Sequence, residues 1–409
     1  MSRSAQKFVE KQNKLADQNK KEKKYLQLIS MCVQIIFVFF NVFFSVYVYE
    51  MSNNLNFVLL YTVFHVVMCM LIEIVVYQFA SDKLLRILFK LSFVLSLVSI
   101  LLTFTISKNT LYMVFVTQFF YALAVNFYYL PNEVATLDKN SKSQMRKFIG
   151  INSILSLFAK VLSPFLSGFI IDYVSYYVLF AIISCVALVC FILSFKVKRL
   201  CVVDEKVSFK KFFKEVHSYK GIRLGYLGYG IYKFSQDGVI DVILPVLIFM
   251  RTGGSFSVGL YAALATLIAG IVLIIYLYFC KNKPVAMYVA TGFLIAASVM
   301  IIAVNSIVTF FVYYFIKKIV FEILRNGIFE SLFNLPKGTS MEAYKIEQHL
   351  TFSMYNRVFV LAAYMLSLII YNFIKSDIAV SLILALLSFS QIASTILVVK
   401  SDKLRDQNM

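Results

Sequence analysis

The chain has 409 residues, 60% of them hydrophobic and only 15% charged, with 41 Phe, no Trp and a formal net charge of +19. Soluble domains carry nearer a quarter charged residues, so a water-soluble protein is excluded and a polytopic α-helical membrane protein follows. The bases interrupt apolar runs instead of gathering on one folded polar face, which excludes nucleic-acid binding and points to topology signals beside anionic lipid.

The first 24 residues are polar and carry eight bases, Arg3 to Lys24. No apolar core with a small-residue cleavage site precedes Tyr25, so this end is expected to stay in the cytoplasm. A helix needs about 18–25 apolar residues to cross a hydrocarbon core about 30 Å thick. Twelve spans meet that need, at 26–48, 54–79, 85–106, 109–131, 148–171, 174–196, 222–249, 255–280, 285–304, 307–333, 350–373 and 377–399. About 31 of the 40 Lys and Arg fall in or beside the N-terminus and the joints at 80–90, 132–147, 197–221, 281–284, 334–349 and 400–409. The opposite joints hold only Lys108, Arg251 and Lys375. That asymmetry places the basic joints and both termini in the cytoplasm of a multi-pass cell-membrane protein.

The expected organisation is a basic segment at 1–24, a six-helix bundle at 25–197, a central loop at 198–221, a second six-helix bundle at 222–400 and a tail at 401–409. In the loop, Phe209, Phe212, Phe213 and Val216 share a helical face opposite Lys210, Lys211 and Lys214, the pattern of an amphipathic helix lying on the membrane. The fourth span ends in YYLP at Pro131 and the tenth in FNLP at Pro336. With six spans on each side, this echo suggests a duplication related by an axis along the membrane normal.

Cys32, Cys69, Cys185, Cys190 and Cys280 lie in or beside apolar spans, Cys201 lies in a basic loop, and His65, His217 and His349 are scattered. Neither a disulfide nor a metal site is expected, and no cofactor.

Ionisable groups at membrane depth are costly and usually line a cavity and pair. The seventh span has Lys233, Asp237 and Asp241 spaced four apart. Lys233 and Asp237 can pair within the helix, which leaves Asp241 to meet a solute or take up a proton. The tenth has Lys317, Lys318, Glu322 and Arg325, with the last three on one face and Lys318 a partner for Glu322. The first adds Gln34 and Asn41, seven apart, and the fourth adds Gln118 and Asn126. Glu73, Lys160 and Arg357 are read equally well as structural ion pairs or water-solvated groups, and the lone His65 reads more readily as structural than as part of the path.

Two segments resemble the major facilitator superfamily, of the bacterial twelve-helix type. Between the second and third spans QFASDKLLR places Asp82, Lys83 and Arg86 on that family's charged positions, with Gln78 and Leu85 where it has glycines. The resemblance implies a cytoplasmic gate that favours the outward-facing state. In the fifth span AKVLSPFLSG places Ala159, Ser163, Pro164, Ser167 and Gly168 on a small-residue pattern seen in the family's antiporters. A helix of this kind bends and packs closely, and the eighth span, with Gly259, Ala262, Ala263, Ala265 and Gly270, is a suitable partner. The family's fourth-span Arg, typical of proton-coupled drug exporters, is missing from TQFFYALA. The resemblance also implies that the first, fourth, seventh and tenth spans line the central cavity.

No nucleotide-binding sequence is found, so energy must come from an ion gradient or the solute's own. The expected function is secondary transport of a small solute by alternating access, as proton-coupled export, by a monomer whose partners are the solute, protons and lipid. Proton-coupled uptake or facilitated diffusion is the alternative. A polytopic enzyme or a transport-dead scaffold is disfavoured, because no acid, base and nucleophile cluster at one membrane face while the cavity charges are present.

Overall fold

The computed structural model describes residues 3–78, 81–138, 142–197, 214, 220–236, 239–279, 283–333, 341–374 and 377–406. Residues 3–20, 77–78, 82, 130, 133–138, 142–154, 236, 239, 277–279, 329–333, 341–352, 377 and 405–406 are placed by their backbone alone. The regular structure described is all helical, the form in which a single segment satisfies its own backbone groups in lipid.

The N-terminal half holds α1 (Arg3–Val38), a π-helical turn (Phe39–Phe43) and α2 (Phe44–Ser52), which together form the first rod. It continues with α3 (Leu55–Gln78), α4 (Asp82–Thr103), α5 (Met113–Asp138), α6 (Lys142–Tyr173) and α7 (Tyr176–Ser194). The C-terminal half holds α8 (Lys220–Gln236), α9 (Val239–Thr252), α10 (Ser255–Phe279), α11 (Lys283–Ala303), α12 (Ile307–Phe333), α13 (Met341–Ile374) and α14 (Asp377–Asp406). Among the described residues nine helices are long and apolar enough to cross a membrane. The other three expected spans are more polar or shorter. The apolar part of α5 is Met113–Tyr129, the seventh span is α8 and α9 on either side of 237–238, and α12 carries four charges at its middle.

Short connections end these helices with identifiable chemistry. Asn53, at φ 48°, takes the left-handed conformation that an Asn side chain tolerates, and its N–H bonds the Tyr49 carbonyl at 2.6 Å. Asn54 Oδ1 then accepts from Asn56 N at 2.9 Å to start α3. Gly253, at φ 71°, ends α9 in the same way. Ser81 and Ser175 cap α4 and α7 by accepting from Leu84 N and Val178 N.

Leu, Ile, Val and Phe side chains such as Val75, Leu101, Ile192, Phe293 and Phe373 stay exposed around the bundle, a belt that lipid covers. Inside, one continuous apolar core runs from α1 to α14 and is dense in rings. Phe40 stacks on Tyr121 at 3.8 Å, and Tyr121 on His65 at 5.2 Å.

Helix boundaries differ from expectation at the basic end. Pro131 does not end the fourth span: it lies inside α5, which runs on to Asp138. A membrane helix tolerates proline when neighbours supply the lost contacts. The polar joints at 132–147 and 334–349 are largely taken up by α5, α6 and the start of α13. The expected amphipathic face at 209–216 and Pro336 fall outside the described residues, apart from helical Lys214.

The two halves meet along two seams, α6 on α10 and α3 on α13. In span numbering these are five on eight and two on eleven, the same pair offset by six. Between them α9 touches α2 and the π turn.

Candidate functional site: a charged cluster between the halves

Asp241 stands in the first turn of α9, where the helix N-terminus favours a carboxylate. Its Oδ1 accepts from Lys318 Nζ at 3.2 Å and from Lys317 Nζ, so one carboxylate bridges two successive residues of α12. Lys317 is 1% exposed, whereas Lys318 and Asp241 are about a third exposed. The ammonium groups of both lysines also lie over rings, Lys317 Nζ over Phe321 at 5.2 Å and Lys318 Nζ over Tyr314 at 5.6 Å. One turn further along α12, Glu322 pairs with Arg325 at 2.5 Å. Lys160, on α6 of the other half, lies within electrostatic reach of Arg325, Glu322, Lys318 and Asp241. All of these positions are near the middle of their rods. Partial exposure at that depth marks a polar space between the halves, since lipid would not host it.

The scaffold around the cluster is tied by side-chain hydrogen bonds. Tyr232 on α8 donates to the Phe321 carbonyl on α12 at 3.1 Å. Gln391 on α14 reaches Ser235 and, at 3.2 Å, the Ile231 carbonyl of α8. Lys233 lies over the rings of Tyr229 and Tyr232 at 5.7 and 5.8 Å.

A second polar group sits in the α3–α13 seam, toward the basic end. Glu73, 3% exposed, accepts from Ser353 Oγ at 2.5 Å and from Arg357 Nη2 at 3.4 Å. Its other oxygen and Arg357 Nε are buried without a hydrogen-bond partner. One turn up α3, Cys69 Sγ contacts His65 Nε2 at 3.5 Å. At the opposite end of the seam, Asn56 Nδ2 donates to Asn372 Oδ1 at 2.8 Å.

The α6–α10 seam is built from small residues. Ala159, Ser163, Pro164, Ser167 and Gly168 are all buried. A Cβ at Gly259 would collide with the Pro164 carbonyl, and one at Gly168 would come within 2.5 Å of the Ser255 carbonyl. Asp172, at the end of α6, accepts from Ser255 N at 2.9 Å and Phe256 N at 2.8 Å, so it caps α10 across the seam.

The Major Facilitator Superfamily model matches residues 26–335. The chain belongs to that superfamily. No curated protein sequence matches it. Solved structures similar in fold include a bacterial homologue of the iron transporter ferroportin in an inward-facing state, 13% identical, with TM-score 0.65 over 94% of this chain and 98% of that one. A nucleoside transporter is 7% identical, with TM-score 0.68 over 93% and 99%. A human organic anion transporter is 12% identical, with TM-score 0.63 over 93% and 99%. As a superfamily member the chain is a multi-pass membrane transporter of a small solute, not an enzyme.

Within the superfamily fold the sequence-derived candidates divide. Asp241, Lys318 and Glu322 come together on α9 and α12. Their pairing differs from expectation. Asp241 is not left without a base but holds two, and Glu322 takes Arg325 in place of Lys318. Lys317 reaches Asp241 from outside the expected face, because a lysine stem is long enough to wrap the helix flank. Asp237 falls outside the described residues. Gln34 is half-buried on α1, and Asn41 is exposed inside the π turn, whose extra residue per turn breaks the seven-residue alignment expected of an unbroken α-helix. Gln118 is buried beside His65. Asp82 opens α4, with its side chain outside the description; Ser81 is the capping residue, Lys83 is exposed and Arg86 half-buried. Leu85, at a family glycine position, is fully buried in one apolar cluster with Leu26, Ile29 and Phe89. Asp172 and the Glu73–Arg357 pairing carry no local sequence signal, since their partners lie about 83 and 284 residues away. Among the described residues no group of three or more His, Cys, Asp or Glu could hold a metal ion.

Proposed function

We propose that this transporter is a proton-coupled exporter working by alternating access, with the α9–α12 cluster as its solute and proton site. The observation that carries this reading is Asp241 bound to Lys317 and Lys318 at the middle of the bundle and partly open to solvent. When α9 and α12 shift against each other, the carboxylate loses its counter-ions. A proton then becomes the cheapest replacement for them inside a low-dielectric site. Export is favoured over uptake by the close-packed, Pro-bearing α6 against α10, the pattern carried by the superfamily's antiporters. Asp82, Lys83 and Arg86 are proposed as a gate at the basic end, and the basic ends as cytoplasmic in the cell membrane, on the strength of their Lys and Arg content.

The test uses inside-out membrane vesicles with an acidified lumen and a quenched acridine dye. The solutes tested are those to which a deletion strain becomes sensitive. Antiport predicts dequenching on solute addition, and none with Asp241→Asn. Absence of dequenching, with accumulation of the same solute in right-side-out vesicles, would establish uptake in its place.

A further inference from the structure

Among the described residues the charged cluster is unbalanced. Lys160, Lys317, Lys318 and Arg325 supply four bases, whereas Asp241 and Glu322 supply two acids. Asp241 is shared by two ammonium groups and Glu322 is taken by Arg325. Lys160 makes no ion pair within 4 Å among the described residues. Even were Lys160 neutral, three bases would face two acids.

The excess is also distributed across the halves. Lys160 belongs to α6, while Lys318 and Arg325 belong to α12, and both lie within electrostatic reach of Lys160. Like charges on facing walls of a low-dielectric cleft repel, and the cleft focuses their field on mobile ions. A bound anion would cancel the repulsion and let the halves approach; a bound cation would add to it.

We propose that the cavity takes an anionic solute, a small carboxylate- or phosphate-bearing molecule held between Lys160 of the first half and Lys318 and Arg325 of the second. This rests on the reading of the cluster as the solute site and adds the sign of the charge. Among the described residues Lys160 has no counter-ion; the anion supplies one, so its arrival is coupled to closure of the cavity. Lys317, fully buried against Asp241 and Phe321, stays part of the wall.

The experiment measures the sign of the field without needing the solute. Ser156 lies one turn from Lys160 on the same face of α6. In protein whose six native cysteines are replaced, Ser156→Cys is reacted in proteoliposomes with methanethiosulfonates of matched size. One reagent carries a sulfonate and the other a trimethylammonium group, and each rate is normalised to its rate with a free thiol. The expected result is about a tenfold preference for the anionic reagent. The preference should fall severalfold in Lys160→Gln, persist in Lys160→Arg, and decline in the parent as salt is raised. A ratio at or below one, a ratio indifferent to both Lys160→Gln and salt, or no reaction with either reagent would overturn the proposal. Solute flux in the same vesicles separates the two readings. Flux with a low ratio removes the anion and keeps the cluster as the solute site, and a high ratio with no flux does the reverse.

Discussion

The seams α6–α10 and α3–α13 occupy equivalent places in the fold and are made of opposite materials. In the first, Gly168 and Gly259 bring backbone against backbone, and one carboxylate, Asp172, pins the end. In the second, side chains meet through polar bonds: Asn56 on Asn372 at one end, Glu73 on Ser353 and Arg357 at the other. Apolar association in lipid depends on close packing, because no hydrophobic force separates one apolar surface from another. A glycine seam therefore holds one register, while a polar seam can exchange its partners for water and re-form. On this account α6–α10 is the pivot and α3–α13 the gate, with the Asp241 cluster between them.

Three substitutions sharpen or break that contrast, each measured as a change in thermal unfolding of purified protein in detergent. The largest effect is expected from Arg357→Leu, which leaves the Glu73 carboxylate buried with Ser353 alone. Stranding one partner of a buried pair costs about 3–5 kcal/mol, and removing both in Glu73→Leu with Arg357→Leu should restore most of it. A single variant as stable as the parent would show that the seam carries no charge pair. Next is Gly259→Ala, expected to cost about 1–3 kcal/mol because its methyl meets a carbonyl that cannot rotate away. Gly292→Ala, with nothing within 4 Å, is the matched control and should be neutral. Equal behaviour of the two glycines would remove the close-packed seam. The smallest effect is expected from Asn56→Ala, an exposed amide pair, at about 1 kcal/mol or less. A larger loss there than at Gly259 would invert the roles assigned to the seams.

The membrane helices and the family were legible because they rest on local quantities: run length, base content and short motifs such as AKVLSPFLSG. The ionisable residues were legible one by one as groups too costly to place in lipid. Their partners were not. Asp241 meets Lys317 and Lys318 across 76 and 77 residues, and helical spacing alone assigned Lys318 to its own-helix neighbour Glu322. Within a helix an i, i+4 pair is worth only about 0.2–0.5 kcal/mol, so a better-placed partner on the facing helix wins. The alignment of Gln34 with Asn41 failed for a different reason. A π turn across Phe39–Phe43 resets the helical phase, and nothing in FFNVF announces it. Pro131 misled as a stop signal because a membrane helix tolerates one missing N–H, and α5 runs on past it to Asp138.

The central claim is that Asp241 exchanges its lysine counter-ions for a proton as the halves move about the α6–α10 pivot. The most direct test compares two assays on Asp241→Asn in proteoliposomes, using a solute identified by the vesicle screen. The account predicts that transport driven by a pH gradient is lost, while exchange of labelled for unlabelled solute at equal concentrations persists. Survival of both activities would make Asp241 a structural partner of Lys317 and Lys318 and contradict the account.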